Sequence, residues 1–286
     1  MQTNGKYLIV NGDDFGISEE VNEGVIQAHQ RGILTSCSLM VTGDAFEGAV
    51  RLARQNPNLA VGIHITCVDG RSVFPHSEIP HLVDWSGHFP SDPACTGVKY
   101  FFCKRARKEL FREVGAQFER FQETGLDFSH IDSHCHMHVN PVAFSAALEM
   151  GEKYGVRRMR VPEDDYNTAR PFLEPSRGKA GYDLMFRILA RRMKVKLRGR
   201  GFRFPSRVYG NFLSGAMTRE YVLSVLDHVR TGISEIYFHP ALLFDHADTG
   251  KVQHLLELSI LLDPDVRSRM EKLGITPATY FDLDKF

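Results

Sequence analysis

Residues 7–14 have the sequence YLIVNGDD, in which a short apolar run is followed directly by two aspartates. A continuous apolar run of this length is typical of a strand buried on both faces of a parallel sheet. Asp13 and Asp14 therefore stand where this first strand ends. Since ligands bind at the carboxyl ends of strands in parallel α/β folds, the stretch predicts both a strand and the edge of a site.

Further apolar runs alternate with segments of helical periodicity along the chain. They predict strands over 34–41, 59–65, 128–138, 157–161, 202–209 and 235–239, and helices from Ser18 and over 45–55, 107–124, 141–154 and 218–230. About seven strand–helix units predict an α/β fold whose parallel sheet closes as a barrel. We expect one domain over residues 1–286, with a loop insertion near 69–103 in which Trp85 and Phe89 could stack on a sugar ring.

The composition of the 286 residues sets bounds on function. The formal net charge is zero, so nothing draws the whole chain toward nucleic acid, and we expect no nucleic-acid partner. Five cysteines without a CxxC pair, and the lack of a signal peptide or an apolar run of membrane-spanning length, predict a reduced, cytoplasmic protein. A homo-oligomer is left open.

A basic amphipathic segment lies near 184–207, where nine lysine and arginine residues occur without an acidic residue. Helical spacing puts Leu184, Met185, Ile188, Leu189 and Met193 on one face. A segment of this kind either packs on the barrel with a solvated basic face or lies on an anionic membrane. The second alternative would make the protein peripheral at the inner membrane.

Residues with metal-binding or acid–base chemistry recur at the predicted strand ends. They are Asp13, Asp14, His64, Arg160 and His239, with His130, Asp132, His134, His136 and His138 on the fourth predicted strand. The carboxyl ends of parallel strands line one mouth, so these scattered residues could converge there. A single buried histidine is more often a hydrogen-bonded core residue, but the combination predicts a metal-dependent site.

The fourth predicted strand carries five of these residues at alternate positions, which would place them on one face and Cys135 on the other. Such a polar face in a buried strand needs a metal ion or hydrogen bonds as partners. Because a strand advances about 6–7 Å every two residues, only one or two of the histidines can bind one ion. His134 and His136 remain alternatives at this point, and Asp132 is expected to orient a histidine ligand.

Four segments resemble the YdjC-like carbohydrate deacetylases, a family that includes chitooligosaccharide deacetylase. They are VNGDDFG at 10–16 with Ser18, GIH at 62–64, HIDSHCHMH at 130–138 and HPA at 239–241. They follow the family's order over nearly the whole chain, although Gly12 stands where the family usually has alanine. GILTS at 32–36 and RMRVP at 158–162 are similar to the hopanoid-biosynthesis-associated branch, HpnK.

The resemblance implies an irregular (β/α) barrel, deacetylase-like, and removal of an acetyl group from an N-acetylated sugar. It implies one divalent metal ion, Mg or Zn, held by Asp14, His64 and His134. Asp13 corresponds to a general base, and His239 to a histidine that acts as an acid at the mouth. We expect Arg160 to hold His239 or Asp13 in place, an ion pair at the barrel mouth being the alternative.

The substrate expected from the finer likeness is the N-acetylglucosaminyl head of a hopanoid lipid. Soluble chitooligosaccharides are the alternative within the same chemistry. Metal-dependent phosphoester hydrolysis and non-enzymatic sugar binding are alternatives from other classes. The DFG triplet at 14–16 does not indicate a kinase, because no glycine-rich loop or HRD loop accompanies it.

Overall fold

The computed structural model describes residues 5–173, 177–242 and 252–285. Within them, parallel strands form a curled sheet, a half-barrel with helices on its outer side. The strands are β1 Lys6–Phe15, β2 Ser36–Leu39, β3 Ala60–Ile65, β4 Ile131–Ser133, β5 Val208–Tyr209, β6 Gly232–Phe238 and β7 Ile275–Ala278. The expected α/β fold is therefore confirmed as an incompletely closed barrel.

Strand β1 is the centre of the sheet, whose order is β4-β3-β2-β1-β6-β5. On one side β1 pairs with β6 over residues 6–12. On the other side it pairs first with β7, over residues 6–9, and then with β2 from residue 11 onward. All of these pairings are parallel, so the carboxyl ends of the strands open at one edge of the sheet.

The helices follow the strands along the chain. They are α1 Glu19–Arg31, α2 Phe46–Gln55, α3 Pro93–Phe102, α4 Lys104–Glu123, α5 Pro141–Lys153, α6 Tyr166–Ala169, α7 Arg177–Gly199, α8 Arg219–His228, α9 Val252–Leu262 and α10 Pro264–Lys272. Ser18 begins α1 by accepting a hydrogen bond from the Val21 amide at 3.4 Å. Among the described helices, none has both the length and the apolar character that crossing a membrane requires.

Strand pairing is least extensive between β4 and β5, where the sequence predicts strands over 157–161 and 202–209. Only single bridges form there, from Met159 to Ile131 and from Arg158 to Arg203. The second of these predicted strands is ordered as β5 only at Val208–Tyr209. The prediction of a continuous strand at 157–161 was wrong. The segment forms one isolated bridge to each neighbouring segment and no continuous ladder of hydrogen bonds.

The predicted strand over 128–138 was also wrong beyond Ser133. Residues His134–Val139 form a 3₁₀ turn in which Cys135 and His136 have left-handed backbone angles, with φ of 52° and 51°. Ser133 closes this turn, because its hydroxyl accepts from the His138 amide at 2.8 Å and contacts His138 Nδ1 at 2.6 Å. Alternation along a strand therefore does not determine where the later histidines point.

The segment at 69–103 contains a helix, α3, as well as loop. Neither aromatic residue considered for sugar stacking lines the cavity described below. Phe89 is buried in the core, and Trp85 is highly exposed beside His76.

Helix α7 contains most of the basic segment, but the face it buries differs from the predicted one. Phe186, Ala190, Met193 and Leu197 point inward. Leu184, Met185 and Ile188, which the sequence places on the apolar face with Met193, are exposed. The helix thus has apolar side chains on both its inner and its outer surface.

Candidate active site

Three side chains from distant parts of the chain meet at the carboxyl edge of the sheet. Asp14 Oδ1 lies 2.8 Å from His134 Nδ1 and 3.2 Å from His64 Nε2. One potential ligand atom from each residue lies within 4.8 Å of the other two. The structure therefore brings together the three residues that the resemblance implies as metal ligands.

Asp14 is aimed at this point by an unusual backbone. It ends β1 in the left-handed region, with φ of 62°, which is uncommon for a residue other than glycine. Burial opposes ionisation of its carboxyl group, but His134 and His64 hold its pKa well below the usual range. Asp14 is thus a carboxylate with two imidazoles against it.

His64 is oriented by Asp132. Its Nδ1 lies 2.7 Å from Asp132 Oδ1, which leaves Nε2 directed at Asp14. This carboxylate–histidine arrangement is the usual way in which a protein fixes the ring of a metal ligand. The expected orienting role of Asp132 is confirmed by this contact.

Glycine at position 62 lets His130 lie against β3. A Cβ atom at Gly62 would come within 2.3 Å of the His130 ring. That ring stacks on Tyr280 on its other side, with centroids 3.7 Å apart. In the Gly62-Ile63-His64 segment, Gly62 thus leaves room for the His130 ring, and His64 reaches the site.

The donor set fits a divalent cation. Two imidazole nitrogens and a carboxylate oxygen suit Zn²⁺ and related ions, and three protein ligands leave coordination positions for water or substrate. Burial opposes protonation of His64, yet Asp132 and Asp14 raise its pKa to about 10, so the ring carries a proton on the nitrogen facing Asp14. A cation at this point would replace that proton as the partner of Asp14.

A second cluster, Asp13, His64 and Asp132, also satisfies the distance criterion for a metal site. Its carboxylates are already neutralised by Arg160, whose Nη1 lies 2.7 Å from Asp13 Oδ2 and 2.9 Å from Asp132 Oδ2. A cation there would face a buried guanidinium. The Asp14–His64–His134 group is therefore the better metal site of the two.

Arg160 is completely buried and binds Asp13 with both terminal nitrogens, at 2.7 Å each. It also contacts Glu235 Oε1 at 2.7 Å. Burial opposes the charge on Arg160, but Asp13, Asp132 and Glu235 raise its pKa well above the usual value. Of the two predicted partners of Arg160, the structure places Asp13, and not His239, in contact with it.

His239 lies at the end of β6 and lines the same cavity as Asp13 and His134. Its backbone amide donates to Glu257 Oε2 on α9, and its Nδ1 lies 3.8 Å from that oxygen. Burial opposes protonation, but Glu257 and the charges of Asp14 and Asp13 raise the pKa of His239 to about 9. The ring is therefore an imidazolium at neutral pH in this environment.

The other two histidines of the 3₁₀ turn have protein partners. His136 Nε2 lies 3.0 Å from the Tyr237 hydroxyl, and His138 bridges Ser133 and the Arg160 carbonyl. Burial and the charge of Arg160 lower the pKa of both rings, that of His138 to about 4. The structure thus places His134, and not His136, against Asp14.

Cys135 lines the cavity beside His134, and it is exposed. The expectation that Cys135 points away from His134 was wrong, because two left-handed residues replace the strand there. Its sulfur does not belong to either candidate metal cluster of the described residues.

The cavity over the site has a volume of about 700 Å³. Asp13, His64, His134, His136 and His239 form its polar floor. Its walls come mainly from apolar side chains of α3, α7 and the turn after β4, including Val98, Phe101, Phe102, Met137, Met185 and Leu189. A polar reaction centre therefore lies at the bottom of a largely apolar cavity.

Two acidic residues of this site were missed at the sequence level, Glu235 and Glu257. Both are completely buried. The signal was available, because each carboxylate interrupts an apolar element, β6 in the sequence GISEIYF and α9 in the sequence VQHLLELSILL. A charge inside a buried element needs a partner, here Arg160 and Tyr280 for Glu235 and the His239 and Met217 amides for Glu257.

Comparison with known proteins finds relatives over nearly the full length of this chain. A carbohydrate deacetylase from Geobacillus stearothermophilus is 33% identical over 285 residues, covering 98% of this chain and 99% of the relative. A carbohydrate deacetylase from Brevibacillus brevis is 33% identical over 282 residues, covering 96% and 99%.

A solved structure from Enterococcus faecalis V583, of a protein to which cellobiose-phosphate cleavage has been attributed, is also similar. It superposes with a TM-score of 0.74 at 28% identity, covering 98% of this chain and 99% of that chain. Residues 7–272 match the family described as YdjC-like protein, and they include all three candidate metal ligands as well as Asp13, Arg160 and His239. On that match, together with the full-length similarity to curated relatives, the chain belongs to the YdjC-like family.

Proposed function

We propose that this protein is a carbohydrate deacetylase that hydrolyses the acetamido group of an N-acetylated sugar, with one divalent metal ion held by Asp14, His64 and His134. The observation that carries the proposal is the meeting of these three side chains, two of which, His64 and His134, line a cavity together with Asp13 and His239. Two full-length relatives that are carbohydrate deacetylases support the reaction.

The ion, Mg²⁺ or Zn²⁺, would supply Lewis-acid chemistry by lowering the pKa of water and polarising the amide carbonyl. The protein contributes the arrangement around it. His64 is held by Asp132, and Asp14 by its left-handed backbone, so the donor atoms are already positioned. This preorganisation favours binding and orientation of the acetamide.

Asp13 is the proposed general base. Its Oδ1 accepts from Asn11 and Arg160, whereas its Oδ2 accepts from Arg160 at 2.7 Å. A carboxylate oxygen can accept two hydrogen bonds, so Oδ2 keeps capacity to take a proton from water. Arg160 would thus act as a positioning residue that fixes the Asp13 carboxylate at the cavity floor.

His239 is the proposed general acid. It is held as an imidazolium by the surrounding carboxylates, with its buried Nδ1 3.8 Å from Glu257 Oε2. The other ring nitrogen, Nε2, would donate its proton to the leaving amine as the C–N bond breaks. The products would be acetate and a free amino sugar.

The substrate proposed is an N-acetylglucosaminyl hopanoid, with soluble chitooligosaccharides as the alternative. The apolar walls of the cavity support a substrate with an apolar aglycone, because a free oligosaccharide would leave Val98, Phe101, Phe102 and Met185 without matching groups. Phosphoester hydrolysis is disfavoured, since it commonly uses two ions and the second candidate cluster shares His64 and is neutralised by Arg160.

The test is acetate release from N-acetylglucosaminyl hopanoid and, in parallel, from diacetylchitobiose, with and without a chelator. Release that is abolished by the chelator and restored by Zn²⁺ or Mg²⁺ is expected. Acetate release that persists after the metal content has fallen to zero would refute the metal dependence, and no release from either substrate would refute N-deacetylation of these two classes.

Asp13→Asn provides the residue-level test of this mechanism. We expect the rate to fall by about 10²–10⁴-fold while the bound metal remains, because the amide cannot accept the proton but the ligands are intact. Metal content by mass spectrometry and turnover would be measured on the same sample. Wild-type turnover in Asp13→Asn would exclude Asp13 as the base.

A further inference from the structure

The outer surfaces of α3 and α7 flank the mouth of the active-site cavity and are unusually apolar. Seven of the thirteen large hydrophobic side chains that are exposed among the described residues lie on these two helices. They are Val98, Phe101 and Phe102 on α3, and Leu184, Met185, Ile188 and Val195 on α7. We call this set the α3/α7 surface.

Helical spacing makes each half of this surface continuous. Positions 98, 101 and 102 share one face of α3, and positions 184, 188 and 195 share one face of α7. The inward faces of both helices are separately buried, through Tyr100 on α3 and through Phe186, Ala190, Met193 and Leu197 on α7. A surface helix normally carries polar residues on its outer face, so the second apolar face requires its own explanation.

The two halves belong to one surface because they border the same cavity. Val98, Phe101, Phe102 and Met185 all line the cavity that is also lined by His64 and His134 of the candidate metal site. Phe102 is 75% exposed, so its ring extends well beyond the cavity wall. Whatever covers the α3/α7 surface therefore lies at the entrance to the site.

Basic residues predominate in the two stretches of chain that carry this surface. Residues 98–108 and 184–200 together contain twelve lysines and arginines and no aspartate or glutamate. Lys194 and Arg200 pair with Glu163 and Glu152, whereas Lys99, Lys104, Arg105, Lys108, Arg191 and Arg192 pair with no carboxylate of the described residues. The α3/α7 surface is thus apolar with an excess of positive charge at its border.

We propose that the α3/α7 surface docks on an anionic phospholipid bilayer, with Phe101, Phe102, Leu184 and Ile188 inserted among the lipid head groups and the cavity mouth facing the membrane. Apolar side chains bordered by lysine and arginine are the pattern of interfacial helices that bind such membranes. A two-fold contact with a second copy of this chain would place like charges opposite one another. A second copy is therefore disfavoured as the binding partner of this surface.

Flotation with lipid vesicles tests the proposal, and it needs no substrate. We expect the full chain to float with vesicles of phosphatidylcholine containing phosphatidylglycerol and not with phosphatidylcholine alone, and raised salt should weaken the binding. Phe102→Ser combined with Ile188→Ser should lower vesicle affinity about tenfold or more, because two side chains lose their apolar contact with lipid. Trp85→Ser is the matched control, since it removes an exposed aromatic residue that neither lines the cavity nor belongs to the α3/α7 surface, and it should bind like wild type.

Thermal unfolding of each variant would establish that it is folded. The proposal is overturned if the wild type stays with the unbound fraction, or if the double variant and the wild type float equally. It is also overturned if the wild type forms dimers without lipid that the double variant does not form, because the surface would then be an interface between copies. Since none of these measurements involves turnover, failure of docking is distinguishable from failure of the proposed deacetylation.

Discussion

At the scale of single residues, the site depends on Asp14, whose Oδ1 lies 2.8 Å from His134 Nδ1 and 3.2 Å from His64 Nε2. The aspartate pair and the histidines stood out because such residues follow apolar strands, where polar groups need partners. Which histidine faces Asp14 could be predicted only from the family resemblance, since the backbone of Cys135 and His136 lies in a region that the residue pattern rarely indicates. Glu257 was missed for another reason, because its partners are backbone amides of distant segments.

The position of His134 leads to a paired prediction. His134→Gln should lose the metal ion and the activity with it, because Nδ1 lies 2.8 Å from Asp14 Oδ1 in the cluster. His136→Gln should keep its metal, since that ring contacts the Tyr237 hydroxyl instead. Metal content per chain after dialysis is the measurement, and the reverse pattern would move the site to His136.

Glu257 provides a second prediction at this scale. Glu257→Gln keeps an oxygen for the His239 amide but removes the charge that helps to raise the pKa of His239 to about 9. The imidazolium would then be lost at lower pH, so the fall of kcat/KM on the alkaline side should begin at lower pH. A pH profile of wild type and variant with equal metal content tests this, and coincident alkaline limbs would contradict a role for Glu257 in keeping the acid protonated.

At the scale of elements, the segment 130–138 is the most instructive error. Its alternating polar residues satisfy the period of a strand, yet pairing stops at Ser133 and the chain turns back through a 3₁₀ turn. The turn places His134 against Asp14, His136 against the Tyr237 hydroxyl, and His138 between Ser133 and the Arg160 carbonyl. By contrast, β1, α1 and β3 were predicted well. The two strands are largely apolar runs, and α1 is an amphipathic helix that Ser18 caps.

The turn itself can be tested at Cys135, whose φ is 52°. A left-handed backbone costs a non-glycine residue about 1–2 kcal/mol, so Cys135→Gly should be more stable than Cys135→Ala by up to about 1 kcal/mol after the extra freedom of unfolded glycine is subtracted. Urea unfolding of the two variants gives the difference. Both should retain metal, and loss of metal in both would make the thiol a ligand.

At the scale of the whole molecule, the number of strands was predicted better than their identity. The sequence predicts a strand at 157–161 that forms only bridges, and it misses β7, which contains Thr276 and Pro277 and lacks a clear apolar run. Proline is tolerated there because β7 lies off the main path of the sheet and pairs with β1. The central strands were predicted well, and their carboxyl ends form the edge of the sheet at which the site lies.

The stability of the whole fold should depend on pH through His138. Its folded pKa of about 4 lies below the usual 6.5, because burial and Arg160 disfavour the charged ring. Between pH 6.5 and 4 the unfolded chain takes up a proton that the folded chain refuses, so the free energy of unfolding falls as the pH falls. The contribution, fully present above pH 6.5, is about 3 kcal/mol.

His138→Gln removes this titration while its amide can still reach Ser133 and the Arg160 carbonyl. The wild type should lose about 3 kcal/mol more than the variant between pH 6.5 and 4, measured by urea unfolding at each pH. Parallel curves for the two proteins would show that His138 is not the group responsible.

The pairing of β1 with β6 and β7 has a consequence for synthesis of the protein in the cell. Lys6–Ile9 pairs with Ile275–Ala278, and Arg160 needs Glu235, which in turn contacts the Tyr280 hydroxyl. A nascent chain therefore carries β1, paired only with β2 among its three partner strands, for more than 200 residues before β6 and β7 emerge from the ribosome. The edges of β1 that β6 and β7 cover stay unpaired until both of these strands have been synthesised, so the polypeptide has reason to require a chaperone until then.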